Sequence, residues 1–482
     1  MAVKTAKARI GLRSDRGPVL VSLMLAMALV ALDSTIISTS VYIIAGELGG
    51  FAQFPWLFSI YLLTQAISVP IYGKLADIFG RKPMMLLGIA VFSMGSMLCG
   101  FAWSMPALIA FRALQGLGGG ALQPMSLTIA GDIYSPTERP KAQAYLSSVW
   151  AISSVIGPTV GGMFSEYLSW RLIFFVNIPV CFLAAVMLIR SFNEKPVRVQ
   201  RSIDYAGAAI LAAGTTLIIL GLLSGGHEWA WSSPTSLGIF AAGGVFLVLF
   251  VLVERRATEP ILPLWVLTRR VLVASTLCSL LVGAIVLGLT TYVPTFSQGV
   301  IGTGAVTAGF AVATLTIGWP LVAGQAGRVY LRLGFRFAAT VGSLIIVTGA
   351  ALTLSLSFES PVWHAAIFCF VIGCGLGLVA SPTLIAAQSS VGWSERGVVT
   401  STNMFGRAIG SAMGVALFGA LVNTRLGGAD NPAPAPLAGA LHLVFVAILG
   451  AAVMLVLASA SMPKFPPKPD SVSIAPVSES SH

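Results

Sequence analysis

The sequence predicts an all-α polytopic membrane protein: two parallel six-helix bundles with two extra helices between them, fourteen transmembrane helices in all. Three observations carry that prediction. Of 482 residues, 56% are apolar and only 9% are charged, against about 25% charged in a soluble globular chain. Fourteen apolar runs follow one another between residues 18 and 461, each long enough to cross a bilayer, which takes about 20 residues. The first six runs also repeat in the last six. Residues 73–82 are echoed by 327–336 at an offset of 254, and Thr137-Glu138-Arg139 by Ser394-Glu395-Arg396 at an offset of 257. Equivalent loops that share one side of the membrane make the repeats parallel, related by an axis along the membrane normal.

In chain order, Lys4, Lys7, Arg9, Arg13 and Arg16 precede the first run, about 18–44. That run is too long for the apolar part of a signal peptide and contains Asp33, so it reads as an uncleaved first span. Between the second and third runs (about 54–72 and 84–102) lies a polar stretch punctuated by Gly73 and Gly80. Those glycines suit a tight turn, and Asp77 between them can pair with Arg81 or Lys82 or cap the next helix. The fourth run, about 106–131, places Arg112 and Gln115 one turn apart on one face, with Gln123 beyond. The fifth, about 142–165, carries Gly157, Pro158, Gly161 and Gly162, whose small side chains let another helix approach closely. The sixth, about 172–190, ends in a basic stretch.

Two further runs, about 205–223 and 236–253, have no counterpart in the repeat and are expected to be dispensable for the core fold. The last six begin near 271, 304, 337, 361, 398 and 438. Within them Gly373-Cys374-Gly375-Leu376-Gly377 is glycine-rich but has no strand before it, so it reads as helix packing and not as a dinucleotide loop. Arg407 stands where Trp150 stands in the first half, without an evident acidic partner. The expected organisation is a bundle over 1–195, a linker with the extra pair over 196–268, a second bundle over 269–462 and a disordered Pro- and Ser-rich tail over 463–482.

The net charge of +11 is spread over the loops, which argues for topology determinants and against nucleic acid. Of 28 Lys and Arg residues, 24 fall on the side of the N-terminus; Arg171 and Arg425 fall opposite, and Arg112 and Arg407 lie within spans. Both termini are therefore expected in the cytoplasm, with the protein in the inner membrane. Trp103, Trp170, Trp229, Trp231 and Trp363 fall at outer helix ends and read as interface anchors. The five cysteines lie inside apolar runs, so no disulfide is expected.

A carboxylate inside a membrane is costly, so Asp33 reads as functional. At 1.5 Å per residue Arg112 lies roughly 9 Å and Asp33 roughly 17 Å below the outer face. Long side chains span that difference, which makes an Asp33–Arg112 pair an expectation. No Walker-type lysine loop, metalloprotease motif or hydrolase triad is present; the sequence points away from an enzyme and from a metal site.

Four stretches carry a family resemblance covering about 20–425. Gly73-Lys74-Leu75-Ala76-Asp77-Ile78-Phe79-Gly80-Arg81-Lys82 resembles the loop signature of the major facilitator superfamily, and Leu108–Gly118 resembles its fourth-helix motif. Leu32-Asp33-Ser34-Thr35-Ile36-Ile37-Ser38-Thr39 is similar to the first-helix signature of the fourteen-helix drug:proton antiporters, departing at Ser40-Val41-Tyr42 where that family has A-L-P. The Gly157-Pro158-x-x-Gly161-Gly162 core resembles the motif of exporters in the superfamily. The resemblance implies proton-coupled export of small amphipathic compounds, drugs or antibiotics, with the proton-motive force in place of any cofactor. It makes Asp33 the proton and substrate coupling site with Arg112 as charge partner. Gly73, Asp77, Gly80, Arg81 and Lys82 would form a gating loop, and Gly157-Pro158 a pivot. Gln115, Gln123 and Tyr292 would line the cavity. Partners would be the small-molecule substrate, protons and membrane lipid, the protein acting as a monomer. An exporter of one endogenous metabolite, lipid or siderophore, or a non-transporting membrane sensor, fits the same residues. One deep carboxylate beside Arg112 further suggests a neutral or monocationic substrate.

Overall fold

A computed structural model of the protein describes residues 14–134, 138–194, 205–225, 228–257, 264–392, 395–427 and 432–464, with Gly11, Pro260 and Ala429. The expected tail lies outside these residues from 465 onward, as does 196–204 of the expected linker. Among the described residues the chain is helical, with no strand.

The first half comprises α1 (Gly17–Leu48), α2 (Pro55–Phe79), α3 (Arg81–Gly100), α4 (Met105–Ile133), α5 (Arg139–Tyr167), α6 (Leu172–Phe175) and α7 (Asn177–Ser191). Then come α8 (Tyr205–Ser224) and α9 (Pro234–Glu254). The second half comprises α10 (Arg270–Gly299), α11 (Ala305–Leu333), α12 (Phe335–Thr353), α13 (Val362–Ser389), α14 (Arg396–Leu426) and α15 (Pro434–Ala460). Among the described residues twelve helices are long and apolar enough to cross a membrane, with Leu172–Ser191 counted as one. Two others of spanning length, α4 and α5 at 29 residues each, stand outside that twelve.

Starts and stops follow local chemistry. Prolines stand in the first turn of α1, α2, α4, α5, α9 and α15, where a missing N–H breaks no bond. Ser104 and Ser233 cap α4 and α9 through their hydroxyls. The polar stretch after the second apolar run corrects one expectation. It is not a ten-residue turn: α2 continues helically through Gly73 and Asp77 to Phe79, and only Gly80 breaks the helix, at φ 97°. A helix satisfies its backbone by itself, so polarity alone does not end it, whereas a positive φ does and favours glycine. Gly334 does the same in the second half at φ 94°, so the repeat seen at an offset of 254 is a repeat of backbone conformation too.

In packing, α1 lies against α5, α7 and α4, while α4 also packs on α2 and α3. In the second half α10 packs on α14, α15 and α13, and α13 on α11 and α12. The halves meet through α5 with α11, α2 with α14 and α1 with α10. The extra pair is joined to the rest through α8, which packs on α2 and α14. There Leu63, Ile219, Leu223, Ala412 and Ala416 form one buried cluster. Asn423 Nδ2 ties it in, donating to the Ala52 carbonyl at 2.8 Å and the Leu223 carbonyl at 3.3 Å.

Close approach of α5 to both halves depends on its small residues. A Cβ on Gly161 would run into the carbonyl oxygen of Ile36 in α1, and one on Gly162 would lie 2.8 Å from the backbone of Val306 in α11. Pro158 is accommodated within the unbroken α5, and Thr39 of α1 donates to its carbonyl at 3.3 Å. Gly161→Ala is expected to lower stability by about 1–3 kcal/mol through overpacking. Gly244→Ala, where a Cβ meets nothing within 4 Å, should have no such effect and should gain helix propensity of up to about 1 kcal/mol. Thermal unfolding of the two variants in detergent checks this; equal midpoints would refute the close-contact argument.

Candidate functional site

Asp33 lies midway along α1, and its side chain and that of Arg112 are each 1% exposed. Arg112 Nη1 donates to Asp33 Oδ2 at 2.6 Å and to Gln115 Oε1 at 2.8 Å. Its Nε donates to the Leu57 carbonyl of α2 at 3.2 Å, and the guanidinium lies over the Tyr61 ring at 4.1 Å from the centroid. The other carboxylate oxygen, Oδ1, accepts from Gln115 Nε2 at 2.8 Å and from Asn177 Nδ2 at 3.3 Å. The second hydrogen of each amide goes to Ser96 Oγ, at 3.2 Å from Gln115 and 3.0 Å from Asn177. Ser96 in turn donates to the Phe174 carbonyl at 2.9 Å.

Five helices therefore converge on one carboxylate: α1 supplies Asp33, α4 Arg112 and Gln115, α3 Ser96, α2 Leu57 and Tyr61, and α7 Asn177. Every donor that Gln115 and Asn177 can offer is used, which is the condition for a buried polar network to hold one arrangement. The pair is held against the desolvation of two charges by attraction in a low dielectric and by these amides. Its chemistry follows. A proton arriving at Asp33 removes the negative charge, leaving Arg112 buried without its counter-ion, so protonation and helix arrangement are linked.

Asn177 escaped the sequence reading. It is a lone amide in an apolar run, a pattern common in membrane packing. It is placed by the packing of α7 on α1 and α3.

The gating-loop residues are placed differently from one another. Gly73 lies inside α2 with open space around it, and Gly80 sits against Glu194. The side chain of Asp77 lies outside the described residues. Arg81 pairs with Asp132 at the end of α4. The carboxylate of Glu194 caps α3, accepting from Arg81 N at 2.7 Å and Lys82 N at 2.8 Å, the anion–helix N-terminus attraction that the sequence offered to Asp77. Lys82 Nζ donates to the carbonyls of Ile189 and Phe192.

Gln123 is half-buried on α4. Tyr292 is fully buried on α10, donating to the Val415 carbonyl at 3.3 Å and meeting the rings of Phe54 and Phe418 at 5.7 and 6.2 Å. Gly157 lies against Thr35, two residues beyond Asp33 on α1. Trp103 and Trp363 are exposed, but Trp170 is 1% exposed and so is not an interface anchor. Its indole N–H donates to Glu47 Oε2 at 2.7 Å, while Arg171 Nη1 holds the other oxygen at 2.5 Å. Glu166 at the end of α5 accepts from Val306 N at 3.0 Å, capping α11 across the two halves. Arg407 lies over the Trp319 ring at 5.1 Å.

Three comparisons place this architecture among known proteins. The chain is 35% identical over 417 residues to Multidrug transporter protein MdtP of Bacillus subtilis (strain 168), covering 86% of this chain and 77% of that one. It is 33% identical over 401 residues to Multidrug resistance protein 3 of the same organism, covering 83% and 78%. Its fold matches a bacterial homolog of the human lysosomal transporter Spinster in an inward-facing, unoccupied conformation, with TM-score 0.68, 17% identity and 93% and 98% of the two chains covered. A D-xylose-proton symporter matches with TM-score 0.65 at 13% identity, covering 94% and 98%. Residues 23–415, which contain the Asp33 network, the Gly80 break and the α5 glycines, match the family model of the Major Facilitator Superfamily, and the chain belongs to that superfamily.

Proposed function

We propose that this membrane transporter exports small amphipathic compounds across the cytoplasmic membrane in exchange for protons. The single observation that carries the reading is the Asp33 carboxylate, buried midway along α1 and held by Arg112, Gln115 and Asn177. A carboxylate there has one evident use, to take up and release a proton as its surroundings change. Relatives named for multidrug transport and resistance support the direction of transport.

In this reading α4 and α5 cross the membrane as well, giving fourteen spans. Residues 1–195 and 269–462 act as two bundles, and 196–268 as a linker with an extra pair. The side rich in Lys and Arg faces the cytoplasm. Contacts between the halves, Glu166 on α11 and Gly162 against Val306, then lie at the outer end and close it. Proton uptake by Asp33 from the outside loosens the pair with Arg112; substrate and proton occupy the site in turn while the bundles rock. Arg81–Asp132 and the Glu194 cap hold the cytoplasmic end of α3, and Gly157-Pro158 serves as pivot.

Purified protein in inverted vesicles with an imposed pH gradient tests this. A panel of amphipathic dyes should accumulate, and an exchanger that collapses the gradient should release them. No movement of any panel member, or movement indifferent to the gradient, would overturn the reading; strict selection of one compound would point to a dedicated exporter.

A further inference from the structure

Arg407 is the other arginine of the spans, and its situation is unlike that of Arg112. It lies 11 residues into the 31-residue α14, and among the described residues its side chain makes no ion pair or hydrogen bond. Its one polar contact is the face of Trp319, midway along α11, at 5.1 Å. Both side chains are partly exposed. Helices α11 and α14 share α10 and α13 as neighbours but make no extended contact with each other, so the arginine reaches across a gap between them. The neighbouring polar groups of α14 are already engaged: Asn403 donates to Ser275 Oγ at 2.7 Å and accepts from Ser279. Among the described residues no side chain supplies the anion that a cation in this setting calls for.

We infer that Arg407, on its Trp319 platform, is a binding site for the anionic head group of an amphiphile, and that monoanionic amphiphiles are a substrate class of this transporter. The inference rests on the export reading for its role in transport, but the binding itself does not. Charge balance supports it: Asp33 and Arg112 neutralise each other, and Arg407 leaves a net positive charge for the substrate to match. The expectation of a neutral or monocationic substrate counted Arg112 and Asp33 alone. A guanidinium suits a carboxylate or sulfonate, which it can hold by two parallel N–H bonds, and it keeps its proton throughout. Export of one monoanion against entry of one proton moves two charges inward, so membrane potential should drive it more steeply than export of a neutral compound, which moves one.

The test uses two dyes that differ by one sulfonate, anilinonaphthalene sulfonate and the neutral phenylnaphthylamine, binding to purified full-length protein in detergent. The wild type should prefer the sulfonate. Arg407→Gln should reduce the ratio of the two affinities at least about tenfold, the scale of one charge-assisted contact, and Arg407→Lys should keep most of it. A ratio unchanged in Arg407→Gln, or no sulfonate binding by the wild type, would overturn the inference. Should Arg407→Gln fail to fold, the wild type in vesicles decides. With the pH gradient collapsed, an imposed potential should move the sulfonate with the steepness of two charges, and one-charge steepness or none would overturn the proposal. Displacement of the dye by phosphatidylglycerol, but not by phosphatidylcholine, would keep the anionic-head site and assign its occupant to a lipid. Sulfonate binding that depends on Arg407 without proton-linked transport would leave this site standing while refuting the export reading.

Discussion

Asp33→Asn is expected to abolish proton-coupled transport, by about two orders of magnitude or more, the scale on which removal of a proton-carrying side chain acts. An amide has the size of the carboxylate and can still accept from Arg112, but it cannot take up a proton near neutral pH. Gln115 cannot simply turn over to meet the new amide, because its oxygen already accepts from Arg112 at 2.8 Å, so the network also loses about one hydrogen bond, roughly 0.5–1.5 kcal/mol. Asp33→Asn strands the Arg112 charge and so lowers stability on the scale of a broken buried pair, about 3–5 kcal/mol, but the protein that does insert should show no substrate-driven proton flux. Substrate-induced alkalinisation or acidification of vesicles, measured beside the amount of inserted protein, separates the two effects. Coupled transport at the wild-type rate would make Asp33 a packing residue and move the proton site elsewhere.

Arg112→Gln should be the most damaging substitution for the fold itself. It leaves the Asp33 carboxylate buried at 1% exposure with its amide donors but without its counter-ion. Breaking one side of a buried pair costs about 3–5 kcal/mol, and it also opens the bond to the Leu57 carbonyl and the contact with the Tyr61 ring. The second change, Asp33→Asn on top of Arg112→Gln, should restore most of the lost stability, since the stranded charge is then gone. Thermal unfolding of the two single variants and the double variant gives the coupling directly. Additive effects would mean that the two side chains do not act as a pair.

Much of the architecture was legible in the chain because hydropathy is a local property. Runs of apolar residues set the membrane helices whatever they pack against, since lipid leaves backbone groups no partner but their own helix. The repeat at offsets of 254 and 257 was readable for a similar reason: Gly80 and Gly334 each need a backbone conformation that favours glycine. Depth along a helix could also be counted, and counting residues brought Asp33 and Arg112 within reach of each other.

Partners were not legible, because a partner is chosen by how helices lean on one another. Arg81 meets Asp132, 51 residues along the chain, and the cap on α3 comes from Glu194, 113 residues along the chain. Asn177 reaches Asp33 across 144 residues, brought there by the packing of α7 on α1. Trp170, placed by sequence in the lipid interface, is turned inward by Glu47. The sequence by itself determined which segments form long apolar helices and where the strong charges lie along them. Only the tertiary structure decided which charges meet, leaving Asp33 matched by Arg112 and Arg407 facing a ring, because rotation and tilt of packed helices fix what each side chain touches and hydropathy carries no record of either.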